Sequence, residues 1–304
     1  MKLTDAQAVE VGLTPEPGIY LNVPAADYFR WPYLSKSGLE RFCISPAQHR
    51  ALVDGVLSWG RSDSMLLGSA LDVLWFDGLE AFKAIFACEP AKPPLKKNGQ
   101  PYSNWMASTP GKAWARAQEA AGRQVLTKVL WRKAFAMLHR LHAHEGKDGH
   151  PSASELREQG TAQVSIVWRC PVTGLWLKGR PDLVDFARLI CSDLKTTADH
   201  RPAGFSKSIG SFEYHWQLYL YMQGLAILTG QDNWEGRFVA VRNEPVHSVE
   251  IYTLEPSALE QARAEVTRRL FTYLDCLTND RWPADSGHMR TIDLPAWRRG
   301  RGGP

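Results

Sequence analysis

The chain contains no run of about 18 consecutive apolar residues, so the sequence predicts no membrane-spanning helix. Its first ten residues, MKLTDAQAVE, have no apolar stretch of the kind that directs secretion, and a secretory leader is not expected. Cysteine is scarce. The five present (Cys43, Cys88, Cys170, Cys191 and Cys276) are scattered and odd in number, with no C-x-x-C pair among them. That pattern argues against a disulfide framework, a zinc knuckle and a four-cysteine iron–sulfur cluster, and fits free thiols in a reducing cytoplasm. Internal repeats and long low-complexity linkers are also missing. What remains is ordinary globular composition, 44% hydrophobic and 22% charged over 304 residues, which rules out a disordered or collagen-like chain. A chain of this length buries a full core without help from disulfides or structural metal.

The net charge is small, +4, but unevenly placed. Residues 83–147 carry 12 Lys or Arg against 3 Asp or Glu, and the tail AWRRGRGGP adds Arg298, Arg299 and Arg301. The rest of the chain is slightly acidic. Charge separated in this way points to a polyanionic partner, although a set of solvated helix faces gives the same count.

Residues up to about 80 read as helical. Ser37-Gly38-Leu39-Glu40 and Ser45-Pro46-Ala47-Gln48 both have the form of a capping box, in which a serine oxygen accepts a free backbone N–H and the Glu or Gln reaches back. Pro46 falls at a first helical position, where its missing N–H costs nothing. The apolar run 65–76 predicts a buried helix. Residues 89–104, with Pro, Gly and three lysines, predict an exposed loop. Residues 109–121 and 125–144 predict helices, the second with Leu126, Val129, Leu130, Leu138 and Leu141 near one face. From Val164 the period changes. Val164, Ile166 and Trp168 alternate as in a strand, Pro171-Val172-Thr173-Gly174 is a turn, and 175–178, 183–186 and 189–195 are short strand-like runs, together an antiparallel meander. A strong helix over 214–228, strands over 237–242 and 246–254, and an amphipathic helix over 256–277 follow. This order predicts an α/β or α+β core rather than a doubly wound fold.

The chemistry concentrates in GRPDLVDFARLICSDLKTT, residues 179–197. Asp193 and Lys195 are two apart, which on a strand places both side chains on one face with Leu194 turned into the core behind them. A hairpin strand beginning at Asp182 brings that carboxylate beside Asp193. Two ionised carboxylates at such range repel, and a hard divalent cation with oxygen ligands relieves the repulsion. Mg2+ in such a site lowers the pKa of a bound water and neutralises charge on phosphoryl oxygens, while the Lys195 ammonium orients the water or contacts the phosphate. Asp185, three after Asp182, points to the other side of a regular strand and reads as a solvated or ion-paired group.

Asp182, Asp193-x-Lys195 and the hairpin between them resemble the PD-(D/E)xK nuclease core. The likeness extends beyond that short motif. Tyr33-Leu34-Ser35-Lys36-Ser37-Gly38-Leu39, followed by Ser45-Pro46-Ala47-Gln48-His49, is similar to the N-terminal pattern of the RecE-like exonucleases (exodeoxyribonuclease VIII type). Gly68-Ser69-Ala70-Leu71-Asp72 stands where that family has a helical motif ending in histidine. The basic loop with Lys92, Lys96, Lys97 and Gly99 resembles theirs. After Asp193-Leu194-Lys195-Thr196-Thr197 come Phe205, Tyr214-His215-Trp216-Gln217 and Tyr221, close to the family's glutamine–tyrosine helix. The resemblance covers roughly residues 18–255. It departs at Asp72, where the family has histidine and related phage exonucleases have glutamate. A carboxylate is an acceptable ligand for Mg2+ or Mn2+; the alternative for Asp72 is a helix residue paired with a nearby base.

The resemblance implies an α/β (α+β) fold: a restriction-endonuclease-like core with a mixed central sheet flanked by helices and an N-terminal helical elaboration. It implies one nuclease domain over 1–304, with the first acidic motif in helices at 18–80, a basic loop and helical insertion at 81–150, the catalytic sheet and helix at 160–255, and a final helix and basic tail at 256–304. Asp72, Asp182, Asp193 and the Leu194 carbonyl would hold Mg2+, or Mn2+ in its place. Lys195 would position or activate water, Gln217 would steady Lys195 or the phosphate, and Tyr221 would support Gln217. Lys92, Lys96 and Lys97 would contact DNA. The implied activity is 5′→3′ exonuclease digestion of linear double-stranded DNA, leaving 3′ single strands for an annealing recombinase. It goes with a phage or prophage origin, the bacterial cytoplasm, and a ring-shaped homo-oligomer such as a tetramer.

An endonuclease or repair nuclease on the same core, and a DNA-binding protein with a decayed site, are the alternatives left open. Gln217 and Tyr221 share a helix face and also fit an amphipathic helix boundary, with Tyr221 in the core. His139, His142 and His144 read as surface residues. Thr196 and Thr197 bond either the backbone or a phosphate. Trp31, Trp59 and Trp105 either stack on bases or pack in the core.

Overall fold

The computed structural model describes residues 14–293 except 59, 61, 285–288 and 290. Trp59 and the tail arginines Arg298, Arg299 and Arg301 therefore lie outside the described residues. In chain order the elements are β1 (Gly18–Tyr20), α1 (Ala25–Arg30), α2 (Lys36–Ile44), α3 (Pro46–Val53), α4 (Asp63–Asp72), α5 (Gly78–Ile85), β2 (Phe86–Cys88), α6 (Thr109–Ala120), β3 (Gln124–Leu126), α7 (Lys128–His142) and α8 (Ala153–Gln159). The second half comprises β4 (Thr161–Ala162), β5 (Ser165–Arg169), β6 (Trp176–Gly179), β7 (Leu183–Asp185), β8 (Ile190–Thr197), α9 (Pro202–Ser211), α10 (Tyr214–Thr229), β9 (Glu235–Arg242), β10 (Val249–Thr253) and α11 (Pro256–Thr278). No helix among the described residues is long and apolar enough to cross a membrane.

The main sheet has the order β10-β9-β8-β7-β4 and is mixed: β8 and β9 are parallel, joined through α9 and α10, and the other pairs are antiparallel. A smaller sheet has the order β1-β5-β6. One bent hairpin links the two. The pairs Ala162↔Leu183 and Ile166↔Gly179 keep the same register, so β4–β5 and β6–β7 form two continuous arms that leave one sheet for the other at a shared corner. Pro181, which has no N–H to donate, interrupts the ladder at that corner on one arm. On the other, Gln163 takes a left-handed backbone (φ 53). The expected meander is thus split: its strands pair antiparallel, but the chain changes sheets between β6 and β7.

Each face of the main sheet is covered. Leu194, Val239 and Val241 pack with Leu67 and Leu71 of α4 and with Leu130, Met137 and Leu141 of α7. On the opposite face Phe238 and Ala240 pack with Phe205 of α9 and Leu218 of α10. The β1-β5-β6 sheet sits against α2, α10 and α11 around Trp168, Phe42, Trp216 and Val266. Fully burying side chains of this size contributes about 1.5–3 kcal/mol each, which fixes the helices on the sheet and thereby the positions of the polar groups at its edge.

Several local expectations need correction. The first capping serine is Ser35, which accepts from Gly38 N, so α2 starts two residues before the Ser37 reading allows. Ser45 does cap α3, accepting from Gln48 N, while the reciprocal box forms at Ser152 and Glu155 on α8. Val125 and Leu126 belong to β3, which pairs in parallel with β2, and α7 begins only after the Thr127 cap. Its buried stripe is Leu130, Ala134, Met137 and Leu141; Val129 is exposed. Trp31 and Trp105 are buried at 3% and 6% exposure, which excludes them as stacking platforms for bases. Ser165, Ile166, Val167 and Trp168 are all buried, because β5 is covered on both faces and needs no polar alternation.

Candidate active site

Three elements converge where β7 begins and β8 runs on past it. The pair Leu183↔Ser192 closes the β7–β8 ladder, so Asp182 stands opposite Asp193 just beyond it, with the β8 edge open from there. Asp182 fills that edge: its Oδ2 accepts the backbone N–H of Leu194 at 2.8 Å. In a strand the C=O of a residue points to the same side as its N–H, so the Leu194 carbonyl faces the same edge. The Leu194 side chain is buried in the α4–α7 core, as the strand period requires.

Asp193 and Lys195 project on the α10 side. Asp193, 2% exposed, accepts from the Gln217 amide through Oδ1 at 3.0 Å. Its Oδ2 forms an ion pair with the Lys195 ammonium but is buried with no aligned hydrogen-bond donor. Gln217 Nε2 also donates to the Tyr221 hydroxyl at 2.7 Å, and Tyr221 donates onward to the Arg180 carbonyl at 3.1 Å. Gln217, with Tyr221 beside it, thus holds Asp193 directly, a contact additional to the support of Lys195 or the phosphate that the resemblance implied. Gly179 makes this possible: a Cβ there would stand 3.0 Å from two Tyr221 ring carbons. Burial, then the Asp193 charge, pushes the Tyr221 hydroxyl well above its ordinary pKa, so it remains a donor. Burial works against the charge on Lys195, but Asp193 and Asp182 outweigh it and hold the ammonium above its ordinary pKa.

Asp72 arrives from the other side, at the end of α4, where the helix passes directly into a π-helical turn (Val73–Asp77). Such turns are frequent at functional sites. Burial, opposed by Lys195 and reinforced by Asp193 and Asp77, raises the Asp72 pKa from 3.8 to about 7. Burial, with Asp193 and Asp72 next, raises Asp182 well above the carboxylate range. The three aspartates therefore feel one another's charge. Their ligand atoms do not all lie within 4.8 Å of each other; among the described residues the trio that does is Glu213, His215 and Glu265. In that second group His215 Nε2 lies 3.2 Å from Glu265 Oε2, which Trp216 Nε1 also reaches at 2.7 Å, and Gln261 donates to the other oxygen.

The aspartate donor set suits a hard divalent cation. It offers only oxygens, Asp193 Oδ2 among them meeting the Lys195 ammonium, and the clustering of like charge is what such a cation relieves. Asp72, Asp182, Asp193 and the Leu194 carbonyl would hold it.

Other sequence candidates fall outside. Lys92, Lys96 and Lys97 are exposed on the loop 89–108 between β2 and α6, away from the hydrogen bonds of the acidic corner; Lys96 rests over the Tyr102 ring. Asp185 caps its turn, accepting from Ala187 N and Arg188 N, and pairs with Arg188. Thr197 bonds the backbone of Asp199. His139 and His142 are exposed, while His144 accepts from Ala153 N.

Three groups near the site carry no role in the motif reading. Lys36 bonds Glu40 and the Phe212 carbonyl, and its ammonium stands 5.6 Å from the centroid of the Tyr214 ring that Lys195 approaches at 4.8 Å. The motif Ser35-Lys36-Ser37 is visible in the sequence, but nothing local announces that its lysine is buried. Arg180 and Gln163 form a chain to Asp182: Arg180 Nε donates to Gln163 Oε1 at 2.8 Å, and Gln163 Nε2 donates to Asp182 Oδ1 at 3.2 Å.

Comparison with known proteins agrees with this geometry. A family model described as "PDDEXK-like domain of unknown function (DUF3799)" matches residues 35–295, and the chain belongs to that family. A crystal structure from Eubacterium rectale, described as "Putative exonuclease", aligns over 90% of this chain and 96% of its own, with a TM-score of 0.59 and 16% identity, and so shows a shared fold. A second solved structure, SSO0001, reaches a TM-score of 0.25 over 56% of this chain and 79% of its own at 16% identity, too low to argue from. No curated protein sequence matches. The chain is therefore a member of the PD-(D/E)xK superfamily, whose nucleases usually use divalent metals.

Proposed function

We propose that the protein is a divalent-metal-dependent deoxyribonuclease that digests linear duplex DNA from its ends. The observation that carries this reading is the hydrogen-bonded convergence of Asp182, Asp193, Lys195 and Gln217 on the open edge of β8. The excess of basic residues over 83–147 supports a nucleic-acid substrate. The 5′→3′ direction, the 3′ single strands for an annealing recombinase, the ring-shaped oligomer and a phage origin rest on the resemblance to RecE-like exonucleases, with Mg2+ or Mn2+ as the metal.

In this reading a bound divalent cation lowers the pKa of the attacking water and offsets charge on the phosphoryl oxygens. The chain supplies the rest. Gln217, braced by Tyr221, fixes the Asp193 carboxylate, and Asp182 is fixed by the Leu194 N–H. Lys195, held protonated, donates to the water or the phosphate and adds positive charge where negative charge develops. Water adds to phosphorus, the P–O bond to the leaving oxygen breaks, and that oxygen takes a proton, giving a phosphomonoester and an alcohol.

The test uses end-labelled linear duplex and covalently closed plasmid with Mg2+, Mn2+ or EDTA, beside an Asp193→Ala variant. Metal-dependent loss of the 5′ label from linear DNA, intact circles, and no digestion by the variant are expected. Nicked circles would make it an endonuclease. No digestion with either metal would remove the nuclease reading.

A further inference from the structure

We propose that Gln163 is a positioning residue for the acidic site: its amide separates the Arg180 guanidinium from the Asp182 carboxylate and so keeps Asp182 available to a cation. This rests on the reading of Asp182 as a cation ligand given above.

The argument starts from the corner of the bent hairpin. Continuing the register of Ala162↔Leu183 by one residue places Gln163 opposite Asp182, and the bond from Gln163 N to the Asp182 carbonyl at 2.8 Å agrees. One residue further along lies the Val164–Pro181 position, then Ser165 opposite Arg180, and Arg180 Nη1 donates to Ser165 Oγ at 2.9 Å. Arg180 and Asp182 are thus two apart on one arm, and Gln163 reaches between them from the other.

The chemistry of the three groups leaves one arrangement. A guanidinium only donates, and so does an amide NH2 group, so Arg180 claims the amide oxygen and the NH2 is left to Asp182. An amide placed between them must turn its oxygen to Arg180 and its nitrogen to Asp182, and the two bonds run that way. The remaining Arg180 bonds, to the Val23 carbonyl at 2.9 Å and to Ser165, hold the guanidinium on the far side. Among the described residues no ion pair joins Arg180 to Asp182 directly, although the Asp182 charge is felt at the guanidinium. A direct bidentate pair would occupy both carboxylate oxygens and neutralise the charge that attracts a cation. Gln163 instead adopts a left-handed backbone (φ 53), a conformation that few side chains take without a compensating contact.

Two variants test this. Gln163→Met keeps the volume and removes both bonds; Gln163→Gly removes the side chain and suits the left-handed backbone, so it folds even where Met does not. Mn2+ binding to the full chain is measured by calorimetry without DNA, and digestion of linear duplex is measured across Mn2+ and DNA concentrations. Both variants are expected to bind Mn2+ about tenfold or more weakly and to need correspondingly more metal for half-maximal digestion, with KM for DNA unchanged. Wild-type Mn2+ affinity in either folded variant overturns the role of Gln163. A wild-type chain that neither binds Mn2+ nor digests DNA overturns the nuclease reading itself. A wild-type chain that does both, alongside an inactive Asp193→Ala and unaffected Gln163 variants, overturns only the present inference.

Discussion

Gly179 and Tyr221 are matched: the absent side chain of one makes room for the ring of the other, 3.0 Å from where a Cβ would stand. Tyr221 in turn receives the Gln217 amide that fixes Asp193. Gly179→Ala forces this ring to shift. Overpacking of this kind destabilises by about 1–3 kcal/mol, and the displaced anchor lowers kcat by about 10–100-fold. Tyr221→Phe keeps the ring and loses the hydroxyl, so it costs about 1 kcal/mol in stability. Thermal melts and single-turnover digestion of both variants check the order.

Asp72 makes the stability of the metal-free chain depend on pH. Its pKa is raised from 3.8 to about 7 by burial first, so between those values the folded chain holds a proton that the unfolded chain releases. Folding is therefore favoured at the acid end of this window, and the contribution is lost as pH rises towards 7. Asp72→Asn should flatten the fall in Tm between about pH 4 and 7 in EDTA, and should raise Tm above pH 7 by about 2 °C or more. A scanning series in matched buffers reads the slope; an unchanged slope counts against the buried environment of Asp72.

Lys178 tests the scaffold without touching the chemistry. Its ammonium, buried under the small sheet, donates to the carbonyls of Tyr28 at 3.0 Å, Phe29 at 3.3 Å and Trp31 at 2.7 Å, closing the end of α1. Burial lowers its pKa to about 8. Lys178→Met takes the ammonium from all three carbonyls, of which that of Tyr28 keeps the Trp31 N–H, and should cost about 1–3 kcal/mol. The metal concentration for half-maximal digestion should not move. Denaturant titration and a metal-activation curve together separate the two effects.

The lysines of the loop 89–108 are predicted to act through charge alone. Replacing Lys92, Lys96 and Lys97 with glutamine should weaken duplex binding and flatten the plot of log affinity against log salt by up to about 0.9 for each phosphate no longer neutralised. Fluorescence anisotropy over a salt series measures this, and an unaltered slope removes the loop from the DNA interface.

The sequence made the pair Asp193 and Lys195 legible because a period of two is local: strand geometry alone puts them on one face with Leu194 behind. Asp182 was legible through the short hairpin expected between the strand-like runs 183–186 and 189–195. Gln163 was not, since its partner lies across a corner whose position depends on which sheet each arm joins. The start of α7 was missed because Val125 and Leu126 suit a helix or a strand equally, and only Phe86–Cys88, far back in the chain, decides between them. Trp31 and Trp105 carry no periodic neighbours that would announce their burial. The fold class was readable from element order; the division into two sheets was not.

The bent hairpin has a practical consequence. Its Pro171–Gly174 tip is separated from the acidic corner by β6 and its flanking residues, 175–180, or about 20 Å of chain. Val172, exposed at that tip, offers a place to splice an affinity handle or attach a fluorophore, giving a reporter that rides on the same rigid arm as Asp182 without crowding it.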